Sequence, residues 1–355
     1  MMNSANSQKN TEEKHTPFLQ AIPPKPRIET TGSSPTERIV NKEQDEFFIA
    51  LAKKGVHTFV MLGVMQEGRP VLLARVGKFV IDDNQSCCRL GGKLLFTGAK
   101  AELQPESLRL GGDISYGAYV ISYRQYLQFT KLMSMAQGSQ SIRCYLPERE
   151  DDTTAVLTLK EIKKSESSDE NTEQERKIIA RTHHTQLSNT CRHTAIDLIE
   201  YTQGIRTLTT NVSRLFFQSL PLQTKFSYGV AQDHFYVFPL PPEAYHAEKE
   251  KRVILTKIYR RMENLLKKDP YGDNTIAKFS ALKRLYVQQA GIPMDDVEQA
   301  LDSIRQWKAT SQPVIEHLRA QSFFGKLFVS VSSTKVMADE IESMLQHCMR
   351  HSTLY

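Results

Sequence analysis

Up to about residue 245 the apolar positions of this chain fall in short runs broken by glycine, proline and polar clusters; beyond it they recur every three or four residues. The first pattern is that of strands with occasional helices, the second that of amphipathic helices. VHTFVMLGVM, from Val56, is apolar on both alternating faces, as a central strand covered on two sides requires. QEGR separates it from PVLLARVGKFVI, which reads as its hairpin partner. EQDEFFIALAKKG, just ahead, reads as a short helix stopped by Gly55. Between 82 and 113, Gly91, Gly92, Gly98, Gly111 and Gly112 interrupt any period, which predicts loops and short pieces. SYGAYVIS, SIRCYLP and AVLTLKEI have strand character, and FYVFPLPP is a last strand closed by prolines. YRQYLQFTKLMSMA places Tyr126, Phe129, Met133 and Ala136 on one helical face.

The clearest helix signal is LSNTCRHTAIDLIEYTQG, with Ser188, Asn189 or Thr190 to cap it and Gly204 to stop it. KKSESSDENTEQER has balanced charge and almost no apolar residue, so a solvated loop is expected. AEKEKRVILTKIYRRMENLLKK, NTIAKFSALKRLYVQQAG, DDVEQALDSIRQWKA, QPVIEHLRAQSFFGKLF and STKVMADEIESMLQHCM carry helical spacing, and five such segments predict a bundle. Residues 1–43 are polar and proline-punctuated, which predicts a disordered tail. The expectation is an α+β chain in three regions: the tail 1–43, a sheet-and-helix core 44–245 and an all-α helical domain 246–355.

Composition narrows the class. Of 355 residues 40% are apolar and 24% charged, the balance of a folded globular chain. No run approaches the roughly 18 apolar residues of a membrane span, and MMNSANSQKNTEEKHTPF lacks the apolar core of a Sec signal. Five cysteines, an odd number with Cys87 and Cys88 adjacent, suit free thiols in a reducing compartment. The net charge of +6 comes from 46 basic and 40 acidic residues interspersed without a basic block, so nucleic acid is not an expected partner. From Glu248 onward 17 basic residues face 13 acidic ones, and a mildly basic helical face suits an acidic protein or an anionic membrane surface. His183 with His184 and Cys87 with Cys88 have no second pair at metal-site spacing, and no P-loop is present, so neither a metal nor a cofactor is expected.

Cys191 is the residue most suited to chemistry. It falls in the first turn of the helix that LSNTCRHTAIDLIEYTQG predicts, where free backbone N–H groups and the helix dipole favour the thiolate. It shares a face with Ala195, Leu198, Ile199 and Thr202, so it points toward the sheet. A base must then come from the sheet. His193 lies about 200° around the same helix and is excluded by direction. His57 opens the central strand, and His234, at the start of HFYVFPLPP, competes with it. Asp82, Asp83 and Asp233 are the acids considered to orient the ring, although such residues near turns commonly serve only the turn. A cysteine on an apolar helix face is also an ordinary core residue, and a strand histidine an ordinary hydrogen-bonded one.

NTCRHTAIDLIEYTQG resembles the Asn-Cys-x-His helix start of circularly permuted papain-like enzymes, the class that contains lecithin:retinol acyltransferase, and VHTFVMLGVMQEGRPVLLARVG resembles their histidine-bearing hairpin. The resemblance implies a papain-like core, with Cys191 as nucleophile and His57 as base, the histidine preceding the cysteine. Thr190 stands inserted between Asn189 and Cys191, and the strand VLLARVG holds no second histidine or acid to complete a triad. HTFVMLGV, ISYRQYLQF, IRCYLPERE, NTCRHTAIDLIEYTQG and FYVFPLPP, over about residues 46–245, also look like a module of Legionella type IV secreted effectors. That resemblance implies export by a non-Sec route into a host cytosol and a host protein as partner. The function expected is a cysteine-dependent hydrolase or transferase acting on an amide, ester or thioester; the alternative is a non-catalytic host-interaction module.

Overall fold

The computed structural model describes residues 36–81, 98–165, 172–205, 212–215, 218–245, 247–293, 295–316 and 332–352. The fold is α+β. Twelve strands and seven α-helices lie among these residues: β1 (Glu37–Asn41), β2 (Glu46–Lys54), β3 (His57–Gln66), β4 (Arg69–Val80), β5 (Ala99–Pro105), β6 (Gly112–Ile121), α1 (Tyr123–Ala136), β7 (Arg143–Glu150), β8 (Thr154–Glu161), α2 (Glu173–Thr182), β9 (His184–Thr185), α3 (Cys191–Gln203), β10 (Leu222–Ser227), β11 (Val230–Ala231), β12 (Val237–Phe238), α4 (Lys249–Lys268), α5 (Asp273–Gly291), α6 (Val297–Glu316) and α7 (Ser333–Ser352). The strands run β1-β8-β7-β4-β3-β2-β6-β10-β11 across a largely antiparallel sheet. β5 flanks β4 at its far end, and β12 joins β6 in parallel.

The sheet is covered on both faces, and strand alternation sorts the side chains. Phe47, Ile49 and Leu51 of β2, with Val60, Leu62 and Val64 of β3, face the layer of α1, α2 and α3. Phe48, Ala50, Ala52, Phe59 and Met61 face the other way, into one continuous core with Ile258 of α4, Leu282 of α5, Trp307 of α6 and Ile341 of α7. The carboxy-terminal helices therefore rest on the sheet rather than only on one another.

Four expectations change. EFFIALAKK is not a helix but β2, paired with β3 on one side and β6 on the other. Residues 47–53 are all buried, and the unbroken apolar run 47–52 fits a doubly covered strand as well as a short helix; sheet pairing decides. Gly55, with φ +57°, serves the β2–β3 turn instead of a helix end. Residues 37–41, read as tail, form edge strand β1 against β8, held by the ladder with only Val40 buried, which a hydrophobic pattern does not register; residues 1–35 lie outside the described residues. The charged loop ends early, because Thr172 and Glu175 close a reciprocal capping box that starts α2. Finally, two expected carboxy-terminal segments are one helix through residue 316, with Pro313 inside it and Trp307, Ser311 and Ile315 on its buried face.

The remaining elements agree with the pattern. β3 and β4 form the expected hairpin, turning through Glu67 and Gly68, both at positive φ. β6, α1, β7, β8 and β12 fall where strand and helix were expected, β12 being only two residues long. Of the glycine-interrupted stretch, β5 is an ordered strand and residues 82–97 lie outside the described residues. Among the described residues no helix is long and apolar enough to cross a membrane.

Candidate active site

Helix α3 begins at Cys191 because Thr190 adopts an extended backbone and turns the chain into the helix. The cap is completed by His193, whose Nδ1 lies 2.9 Å from Thr190 Oγ1 and 3.4 Å from Thr190 N–H. Burial, with the cations Arg214, Arg181, Lys78 and Arg192 around it, pushes the His193 pKa down to about 4. A neutral ring accepting at its cap leaves His193 no part as the base. At the other end Gly204, φ +71°, closes the helix in the left-handed conformation. Ala195, Leu198, Ile199 and Thr202 are buried against β2, β3 and β4, so the Cys191 face looks onto the sheet.

The structure brings His57 to this thiol. The ring of His57 lies beside the sulfur of Cys191, close enough for each to shift the other's titration, and the backbone N–H groups of Thr58 and Arg192 lie close enough to the sulfur to act on it as well. Both side chains are half-buried. Burial opposes ionisation of each, but it loses to these contacts. Cys191 is held below the ordinary thiol value by the His57 hydrogen bond, the Thr58 and Arg192 N–H groups and the imidazolium charge. His57 is raised from 6.5 to about 9 by its hydrogen bonds to Cys191 and Glu106 and by their negative charges. Both shifts favour the thiolate–imidazolium form of the pair over the neutral one.

Glu106, the residue after β5, supplies the acid that sequence reasoning missed. Its Oε1 lies 2.8 Å from His57 Nε2, which leaves Nδ1 as the ring nitrogen for the thiol. Its Oε2 pairs with Arg75 Nη2 of β4. Arg75 in turn donates to the Ser107 carbonyl at 2.8 Å and lies over the Phe59 ring, 4.3 Å from its centroid. Between β3 and β5 runs β4, and the position separating His57 from Glu106 is Gly77: a Cβ there would stand 2.2 Å from Glu106 Oε1 and 2.6 Å from His57 Nε2. Only a residue without a side chain lets the acid reach across β4 to the ring. The signal for Glu106 was Arg75, a cation inside the apolar strand VLLARVG, since an arginine buried to 8% exposure calls for a carboxylate. The acid comes from the neighbouring strand's end rather than from VLLARVG itself.

The other candidates lie elsewhere. His234 packs edge-on against Tyr236, 4.5 Å between centroids, in the layer shared with the carboxy-terminal helices, and burial and Lys283 lower its pKa. The sheet separates it from α3. Asp233 accepts only a long 3.4 Å contact from the Lys225 N–H. Asp82, Asp83, Cys87 and Cys88 are outside the described residues. No family model, curated protein or solved structure matches this chain.

Proposed function

We propose that this chain is a cysteine-dependent acyl-transfer enzyme, a hydrolase or transferase acting on an amide, ester or thioester. The observation that supports it is the line Cys191, His57, Glu106: a nucleophile, a base touching it and an acid 2.8 Å from the base. The Cys191 thiolate attacks the substrate carbonyl carbon, and the carbonyl electrons move to oxygen. The tetrahedral intermediate collapses with the leaving group taking the proton from His57, which yields a thioester on Cys191. Water, or an acceptor hydroxyl, amine or thiol, then loses its proton to His57 as it attacks the thioester, and the thiolate is regenerated. The backbone N–H of Cys191, first in α3 and without a helical acceptor, is the donor suited to the oxyanion. Glu106 fixes the ring and stabilises its charge, and Arg75 holds Glu106.

The chain order, His57 before Cys191, agrees with a circularly permuted papain-like scaffold, and by the resemblance to type IV secreted effectors the substrate would be a host protein. The experiment is acylation of the full chain by a panel of activated esters and thioesters, followed by mass spectrometry of the intact protein. A covalent acyl adduct on Cys191, lost in Cys191→Ser and His57→Ala and slowed on the order of 10²-fold or more in Glu106→Gln, is the expected result. Absence of adduct with every ester, together with an ordinary alkylation profile for Cys191, overturns the proposal. A non-catalytic host-interaction reading has its own support in α4, where Lys249, Arg252, Lys257 and Arg260 line a cleft of about 490 Å³. Sedimentation of the full chain with anionic vesicles, and its loss in a variant with these four changed to Gln, tests that reading.

A further inference from the structure

The turn that delivers Cys191 to the sheet is wrapped around the buried amine of a lysine. Lys78 of β4 is 6% exposed. Its Nζ donates to the carbonyl oxygens of Arg181 at 2.8 Å, His184 at 2.6 Å and Asn189 at 2.9 Å, and lies 3.1 Å from Thr194 Oγ1. A charge taken out of water persists only with polar partners, and here they are gathered from the end of α2, from β9 and from both sides of the α3 start. Asn189 reinforces the same turn, its Nδ2 donating to the Arg181 carbonyl at 2.9 Å and the His184 carbonyl at 2.5 Å. Thr185 Oγ1 also donates to the Asn189 carbonyl, at 3.1 Å. Two of the atoms that Lys78 holds thus belong to residues bracketing Cys191, two positions before it and three after.

Lys78 is the neighbour of Gly77 on the same strand, and neighbouring strand positions face opposite ways. One position of β4 makes room for the base and its acid; the next grips the turn of the nucleophile.

We propose that Lys78 is a positioning residue of the thiol site, which sets Cys191 against His57 and contributes a second positive charge that favours the thiolate. This rests on the reading of Cys191 and His57 as a nucleophile–base pair. His183, between α2 and β9, has its pKa lowered by burial and by the Lys78 charge, while Glu102 opposes the shift. Arg181 of α2 and Asp197 of α3 face Lys78, and Asp197 is paired with Arg181 at 2.6 Å and Arg214 at 3.5 Å. His57, backed by Glu106 and Arg75, faces the sulfur from β3, while Arg192 and His193 lie on α3 itself. Burial and Arg181 push the Lys78 pKa down to about 7, against the opposing pull of the Cys191 and Asp197 charges. The coupling must be reciprocal: if the ammonium favours the thiolate, the thiolate favours the ammonium by the same amount.

Both directions are measurable. In the full chain with Cys87, Cys88, Cys144 and Cys348 replaced by Ala, the rate of Cys191 alkylation by iodoacetamide is followed against pH, with and without Lys78→Gln, which keeps N–H donors but loses the charge. The expected result is a low midpoint in the parent and a higher one in Lys78→Gln, with alkylation at pH 6 slowed several-fold to about tenfold. In the unsubstituted Lys78 protein, the ammonium is titrated by NMR of a ¹³C,¹⁵N-lysine sample before and after Cys191 is capped with iodoacetamide; capping is expected to lower its midpoint. A Lys78 titration indifferent to capping overturns the inference, even where Lys78→Gln fails to fold. An unchanged alkylation midpoint in a folded Lys78→Gln protein does the same. An ordinary thiol midpoint in the parent would instead defeat the nucleophile–base reading itself.

Discussion

Gly77 carries no side chain, and the volume one would need is occupied by the contact between an acid and a base. Gly77→Ala puts a methyl group within 2.6 Å of both, and neither can retreat freely, since Arg75 pins the carboxylate and Cys191 the ring. A loss of about 1–3 kcal/mol in stability is expected from denaturant unfolding, with loss of Cys191 reactivity at acid pH in the folded fraction. The charges make a second prediction. His57 is raised from 6.5 to about 9, so its contribution to stability is present below 6.5 and lost as pH rises through 9. Cys191 is depressed, so its contribution is present above the ordinary thiol value and lost as pH falls through its folded pKa. The two describe one contact, counted once, with the pair intact between the folded Cys191 value and about 9. Negatively charged iodoacetate should therefore outpace neutral iodoacetamide at Cys191 inside that window. The advantage attributable to His57 should fade through about pH 9 and be absent in His57→Gln. Equal rates for the two reagents across the window would show that no imidazolium faces the thiolate.

Among the elements, α3 was legible because every signal agreed: a capping threonine, an apolar stripe and a terminal glycine. Its first turn was read less fully, since His193 proves to be part of the cap. Deleting that ring in His193→Ala should cost about 1 kcal/mol of stability by thermal or urea unfolding and leave the alkylation profile of Cys191 in place. A collapse of the low-pH reactivity would make His193 part of the thiol site. β2 was misread as a helix for a physical reason: burial on both faces erases the alternation by which a strand is recognised, and only its ladders to β3 and β6 distinguish it. The candidate site divides along the same line. His57 and Cys191 stand at the starts of elements, where local signals mark them. Glu106 follows a strand that lay within the glycine-interrupted stretch, and its approach to His57 depends on the pairing of β4 with β5, a contact between residues far apart in the chain. Nothing local in QPESLRL distinguishes an acid that meets a histidine from a solvated one.

At the scale of the molecule, the change of composition near Tyr245 does not coincide with a boundary in packing. Phe48, Phe59, Met61, Tyr116, Phe235 and Phe238 face the carboxy-terminal helices, and Tyr236 Oη and Tyr286 Oη donate across to the carbonyls of Pro270 and Leu240. Lys283 of α5 further ties Glu46 of β2 at 2.5 Å and the Val237 carbonyl at 2.7 Å. A fragment ending at Tyr245 is expected to expose this apolar face, to bind a hydrophobic dye and to unfold without a cooperative transition. Cooperative unfolding of that fragment at the midpoint of the full chain would show that the helices add nothing to the sheet's stability.

The residues of the proposed triad are scattered over 57, 106 and 191, and none of them meets another until the sheet has closed and α3 has docked on it. In an unfolded or half-folded chain Cys191 reverts to an ordinary thiol, protonated at neutral pH and slow to react. On the proposed reading the protein carries its own folding gauge: acid-pH reactivity of that one sulfur atom is expected only in molecules in which β3, β5 and α3 have all found their places.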